Sequence, residues 1–119
     1  MFEYGAALSK VPQGYTVIIP EVAKLSGKYE LLPDKNGDRP VWGSKNNRLY
    51  RTANRTWGIT DDAEDLPKNL VLVRSKTKEA DAKFPHVISE WEFYDMQKRV
   101  WEPSKTSATP VSRKSRECS

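Results

Sequence analysis

Residues able to do chemistry are scarce in this chain. His86 is the only histidine and follows Pro85, and the only cysteine, Cys118, is second from the end. A Ser-His-Asp or Cys-His centre needs a nucleophile held against a base, and the sequence supplies no such set around His86. The same scarcity removes a zinc site, which draws on clustered Cys and His. The acidic run Asp61-Asp62-Ala63-Glu64-Asp65 lacks the alternating ligands and closing Glu of a calcium loop. Glu90 and Glu92 stand two apart, the spacing of a solvated strand face. No catalytic residue, cofactor or metal is expected, and the chain reads as a non-enzyme.

One stretch does combine charge with rings. Residues 36–59, NGDRPVWGSKNNRLYRTANRTWGI, set Trp42, Tyr50 and Trp57 among Arg39, Lys45, Arg48, Arg51 and Arg55, with no acid after Asp38. On a strand, Arg48 and Tyr50 share one face while Leu49 and Arg51 share the other. With Leu49 turned to a core, Arg48 and Tyr50 point outward together. They would offer a cationic surface with a stacking ring, as binders of single-stranded RNA or anionic lipid do. The competing reading is the ordinary solvated face of a one-sided sheet, neutralised by the acidic run that follows. The second reading is favoured. It leads to an expected non-enzymatic protein-interaction or assembly module, with Trp42 and Tyr50 as anchors beside Arg48 and Arg51. Binding of RNA or anionic lipid through Arg39, Lys45, Arg48, Arg51 and Arg55 is the alternative.

Those faces require strands to carry them. "YTVIIP" (15–20) is β-branched and extended, and "EVAKLSG" offers one helical turn closed by Gly27. "KYELLPD" and "RPVWGS" flank Asn36-Gly37, a strong hairpin signal because both residues accept positive φ. "RLYRT" and "RTWGIT" follow, with Asn54 expected to take the left-handed backbone between them. "LVLVRS" (70–75) is the one continuous apolar run and predicts a strand buried on both faces. "EWEFYD" and "RVWEP" predict a last hairpin joined by "MQK", with Trp91 and Phe93 on one face. Short strands ended by turn residues at intervals of roughly ten predict a mainly β fold. The expected form is a small antiparallel meander, an open sheet or partly closed barrel, with at most one or two short helical turns.

The domain expectation is a loose arm over 1–14, a single β domain over 15–102 and a disordered basic tail over 103–119. The net charge of +4 supports the last boundary, because four basic residues against one acidic fall in 103–119 while the rest holds 16 basic and 15 acidic side chains. Ser, Thr and Pro dominate this tail, and Val111 is its one residue to bury. Thr109 precedes Pro110 and Ser115 follows two basic residues, so both are candidate phosphorylation sites. No apolar run approaches the length of a membrane span, and no signal-peptide pattern opens the chain, so a cytoplasmic protein is expected.

Gly27-Lys28-Tyr29, then Asn36-Gly37-Asp38-Arg39-Pro40-Val41-Trp42, Leu49-Tyr50, Trp57-Gly58-Ile59, and Pro85 with Trp91 occur in a suggestive order. It resembles the tryptophan-rich module GxY…NGRPVY…LYY…WxI…W of many eukaryotic proteins, notably of protists including trypanosomatids. The resemblance covers about residues 27–95. It implies a small β domain for display or interaction and brings no shared catalytic residues. This chain departs from the pattern at Asp38, which separates Gly37 from Arg39, and at Arg51, where a second Tyr often follows Tyr50.

Overall fold

Turn residues cut the chain into short strands, and each strand finds its partner in its neighbour along the sequence. The computed structural model describes residues 11–37, 39–76 and 84–111. Its strands are β1 (Gly14–Ile18), β2 (Gly27–Leu31), β3 (Trp42–Ser44), β4 (Asn47–Arg51), β5 (Trp57–Thr60), β6 (Val73–Ser75), β7 (Trp91–Asp95), β8 (Val100–Ser104) and β9 (Ser107–Val111). All nine form one antiparallel sheet in the order β8-β7-β6-β5-β4-β3-β2-β1-β9. The sheet curls into an open half-barrel. Three short 3-10 turns, Pro20–Leu25, Ala63–Lys68 and Pro85–Val87, join the strands. The mainly β meander read from the sequence is therefore present.

Local details move by a residue or more. The first hairpin turns at Gly37 (φ 67°), where Asn36 and Arg39 exchange backbone hydrogen bonds at 2.9 and 3.1 Å. Arg55, at φ 69°, takes the left-handed backbone expected of Asn54. The acidic run is not a plain loop: Asp62 caps the turn Ala63–Lys68 by accepting from Glu64 N at 2.9 Å. The apolar run 70–75 yields only β6, with Leu70 left 53% exposed.

The largest correction concerns the two ends of the domain. The loose arm stops early, because Pro12 is buried and Gly14 opens β1. The supposed tail contains the end of β8 and all of β9, which pairs with β1 from Gly14↔Val111 to Ile18↔Ser107. Residues 1–10 and 112–119, Ser115 among them, lie outside the described residues. Pro103 and Pro110 made this segment read as disordered. In the ladder they stand opposite Glu92 and Tyr15. A proline has no N–H to give, so each suits a position whose N–H would point to the open edge. There they blunt the two edges against pairing with another chain.

Those edges belong to consecutive strands. β8 pairs with β7, β9 pairs with β1, and only Lys105 and Thr106 separate them. The chain itself thus bridges the gap between the sheet's first and last strands. Stagger makes the switch necessary: Leu31, Trp42, Leu49, Ile59, Val73, Phe93 and Glu102 form one cross-strand row, while Val111 lies in the adjacent row with Gly14 and Glu30. One circuit therefore displaces the chain by about ten residues, the shear of a curling sheet. Glu21 holds the corner, accepting from Ser104 Oγ at 2.7 Å and from Lys105 N at 2.9 Å. Burial alone would raise the Glu21 pKa, but these two bonds hold it below its ordinary value.

Inside the curl, alternate residues of each strand meet in a core of rings. Trp42 lies edge-on to Tyr15 at 4.9 Å between centroids and 5.9 Å from Trp57, all within 1% exposure. Buried rings must place their polar tips. Trp42 Nε1 donates to Pro12 O at 2.9 Å, and Tyr29 Oη donates to Leu25 O at 2.6 Å. Tyr50 Oη donates to Leu70 O at 2.9 Å, and Tyr15 Oη bonds His86 Nδ1 at 2.8 Å. Each tip reaches a different connecting segment. Burial pushes Tyr29 and Tyr50 up to about 12, the latter with help from the Asp65 charge, and drives Tyr15 well above its usual range, so none ionises near neutral pH.

Trp42→Ala should cost about 3–5 kcal/mol, since it empties the centre of the core and frees the Pro12 carbonyl. Trp42→Phe should cost less than half as much. Urea denaturation checks both values, and a loss under about 1 kcal/mol for the alanine variant would place Trp42 outside the core.

Candidate interaction surface

Of the expected anchors, Trp42 and Tyr50 are both fully buried, so neither can meet a partner. Trp42 faces inward for the reason just given. Tyr50 does point to the outer face, beside Arg48, but that face is covered. The segment 61–71 folds back over β4 and β5, where the Tyr50 hydroxyl is bonded to Leu70 O and Thr60 Oγ1 donates to Asp65 Oδ2 at 2.8 Å. Gly58 explains the close fit, because a Cβ there would collide with the Val71 side chain. A sheet face free on paper is a second small core in three dimensions.

The basic residues do not make one patch. Lys45 occupies the β3–β4 turn at φ 55°, and Arg48 Nη1 lies across Gly43 to donate to Lys45 O and Asn47 O, both at 2.8 Å. Arg39, Arg51 and Arg55 gather at the opposite end of β4. Arg51 is 7% exposed, with its guanidinium 5.8 Å from the Trp57 ring centroid. Burial lowers its pKa, and the Arg39 and Arg55 charges lower it further. The acids are committed as well. Asp61 pairs with Lys24 at 2.8 Å, Asp62 caps its own turn, and Asp65 receives Thr60. Among the described residues no group of three or more His, Cys, Asp or Glu could hold a metal ion.

The phosphorylation candidate Thr109 is exposed on the outer face of β9, opposite Thr16. Its backbone is part of the ladder, so a kinase would meet it as a strand and not as a tail. His86 is exposed and stacks on Phe84 at 5.9 Å, with its ring bonded to Tyr15. That bond ties the turn Pro85–Val87 to β1.

What the stretch 36–59 does not provide appears farther along the same outer face, toward β8. Trp42, Trp57 and Trp91 are at most 3% exposed, whereas Trp101 is partly exposed on the outside of β8. Tyr94 stands directly opposite it on β7, with ring centroids 5.5 Å apart and planes at 64°. Arg74, from β6, lays its guanidinium carbon 3.8 Å from the Trp101 ring centroid and donates from Nε to Glu92 Oε1 at 3.0 Å. Lys76 pairs with Glu90 at 3.5 Å near the edge of this face. Beside Trp101 a groove runs toward segment 69–71 and the β4–β5 turn. The signal for this face was present in the sequence. If Trp91 and Phe93 point inward, Glu92 and Tyr94 must point outward, and the short link to β8 brings Trp101 across from Tyr94.

No family model, curated protein or solved structure matches the chain. Among the described residues no helix is long and apolar enough to cross a membrane.

Because one indole of four is open to water, Trp101→Phe should remove most of the acrylamide-quenchable tryptophan emission of the folded protein. Quenching that persists at the wild-type level would show that another indole is exposed.

Proposed function

We propose that this chain is a non-enzymatic interaction module that docks a protein partner on the outer face of β6, β7 and β8. The observation that supports this reading is Trp101. It is the tryptophan left out of the core, and it is held in place by Arg74 and Tyr94. Trp, Tyr and Arg are the side chains whose truncation costs most at protein interfaces, and rings already fixed in the free protein lose little freedom on docking. The neighbouring part of the same outer face, over β4 and β5, is covered by segment 61–71, which supports confinement of the contact to β6, β7 and β8. A cytoplasmic setting suits a chain with one cysteine.

The alternative, binding of RNA or anionic lipid, keeps a narrower base than the sequence offered. Lys45 and Arg48 stand apart from Arg39, Arg51 and Arg55, and the mutual repulsion felt by Arg51 supports a grouped cationic end at those last three residues.

Immobilised protein should retain a defined partner from native extract. Trp101→Ala and Tyr94→Ala should lose it, and Arg48→Ala should keep it. Equal recovery by the Trp101 variant would remove this face from the account. Retention of RNA that needs Arg39 and Arg55 and falls steeply with salt would favour the alternative.

A further inference from the structure

The groove beside Trp101 has a lining that indicates what fits it. Leu70, 53% exposed, forms an aliphatic wall with Val71, Trp101 closes the other side, and Asn54 offers an amide at the rim. Arg74 and Lys76 supply two cations, and no carboxylate among the described residues lines the groove. Glu90 and Glu92 hold those cations from outside it.

Arg74 decides the ligand. Its guanidinium is stacked on Trp101 and bonded through Nε to Glu92, and these two contacts fix the plane of the group. They leave the edge bearing Nη1 and Nη2, whose parallel N–H groups match the two oxygens of a carboxylate. An arginine held on an aromatic ring loses little further freedom when it binds. The aliphatic wall favours a branched side chain next to that carboxylate. A nucleic acid base would find one face of Trp101 already occupied by Arg74.

We propose that this groove receives an extended acidic segment of a protein partner. One Asp or Glu carboxylate is bound by the Arg74 fork, and an aliphatic side chain two residues away rests on Leu70 and Val71. This rests on the interaction-module reading and adds the chemistry of the partner to it.

The test uses a short fluorescein-labelled peptide in which leucine and glutamate stand two apart with serine between them, so that both reach one face of the extended chain. A peptide with glutamine in place of glutamate is the comparison, and binding is read by fluorescence polarisation. The glutamate peptide should bind about 10-fold more tightly than the glutamine peptide, as a charge-assisted bidentate contact allows. Arg74→Gln should erase that difference, and Arg74→Lys should restore only part of it, because an ammonium lacks the fork. Amide shifts on binding should centre on residues 70–76 and Trp101. Equal affinity for the two peptides, full binding by Arg74→Gln, absence of binding by the glutamate peptide, or displacement of it by oligouridylate would each overturn the proposal. If the peptide fails while partner capture still depends on Trp101, the carboxylate chemistry is wrong and the face stands. If capture is indifferent to Trp101, the face itself fails.

Discussion

A buried ring with a polar tip cannot be left unsatisfied, and that constraint organises this molecule. Trp42, Tyr29, Tyr50 and Tyr15 supply the bulk that a chain poor in aliphatic residues needs for a core. Each also carries a donor or acceptor that would cost about 1–3 kcal/mol if buried without a partner. The connections answer that need. Pro12, Leu25, Leu70 and His86 lie on four separate segments, and each receives one tip. Loops that would otherwise run free are thereby fixed against the sheet, and among the described side chains no buried polar atom lacks a partner.

The same arrangement explains where the molecule is open. Tyr50 draws segment 61–71 over β4 and β5, and Val71 fills the space above Gly58. Nothing comparable among the described residues covers β7 and β8. Their outward residues, Tyr94 and Trp101, stabilise one another and the Arg74 guanidinium while remaining accessible. The stagger of the sheet adds a second asymmetry, because after β8 pairs with β7 the chain crosses to place β9 against β1. Pro103 and Pro110, one in each edge strand, discourage edge-to-edge association. This geometry disfavours strand addition at either edge of the sheet.

How much of this was legible in the sequence depends on the range of the forces involved. Strand alternation and turn chemistry act over a few residues, so the meander, the inward pairs Trp57 with Ile59 and Trp91 with Phe93, and the β7–β8 hairpin could all be read. Tyr50 could not, because its burial depends on a segment about twenty residues away whose acidic composition signals a solvated loop. Trp42 stands in the basic-aromatic stretch that suggests anchors, yet strand pairing puts it in one row with Leu49 and Ile59 inside the core. The segment 103–111 has the composition of a disordered tail, and its order comes from a long-range ladder with β1 that composition does not encode. The outward position of Trp101 is legible from the β7–β8 hairpin, but its stacking on Arg74 joins strands about 27 residues apart and has no local signal.

The claim that ring tips hold the connections down is tested most directly by hydrogen exchange of the indole N–H protons, followed by NMR under native conditions. The account predicts that the Trp42 Nε1–H, bonded to Pro12 O inside the core, exchanges only through global unfolding, while the Trp101 Nε1–H exchanges far faster. Exchange of the Trp42 proton as fast as that of Trp101 would contradict it, since the central ring would then be neither enclosed nor tied to the segment that covers it.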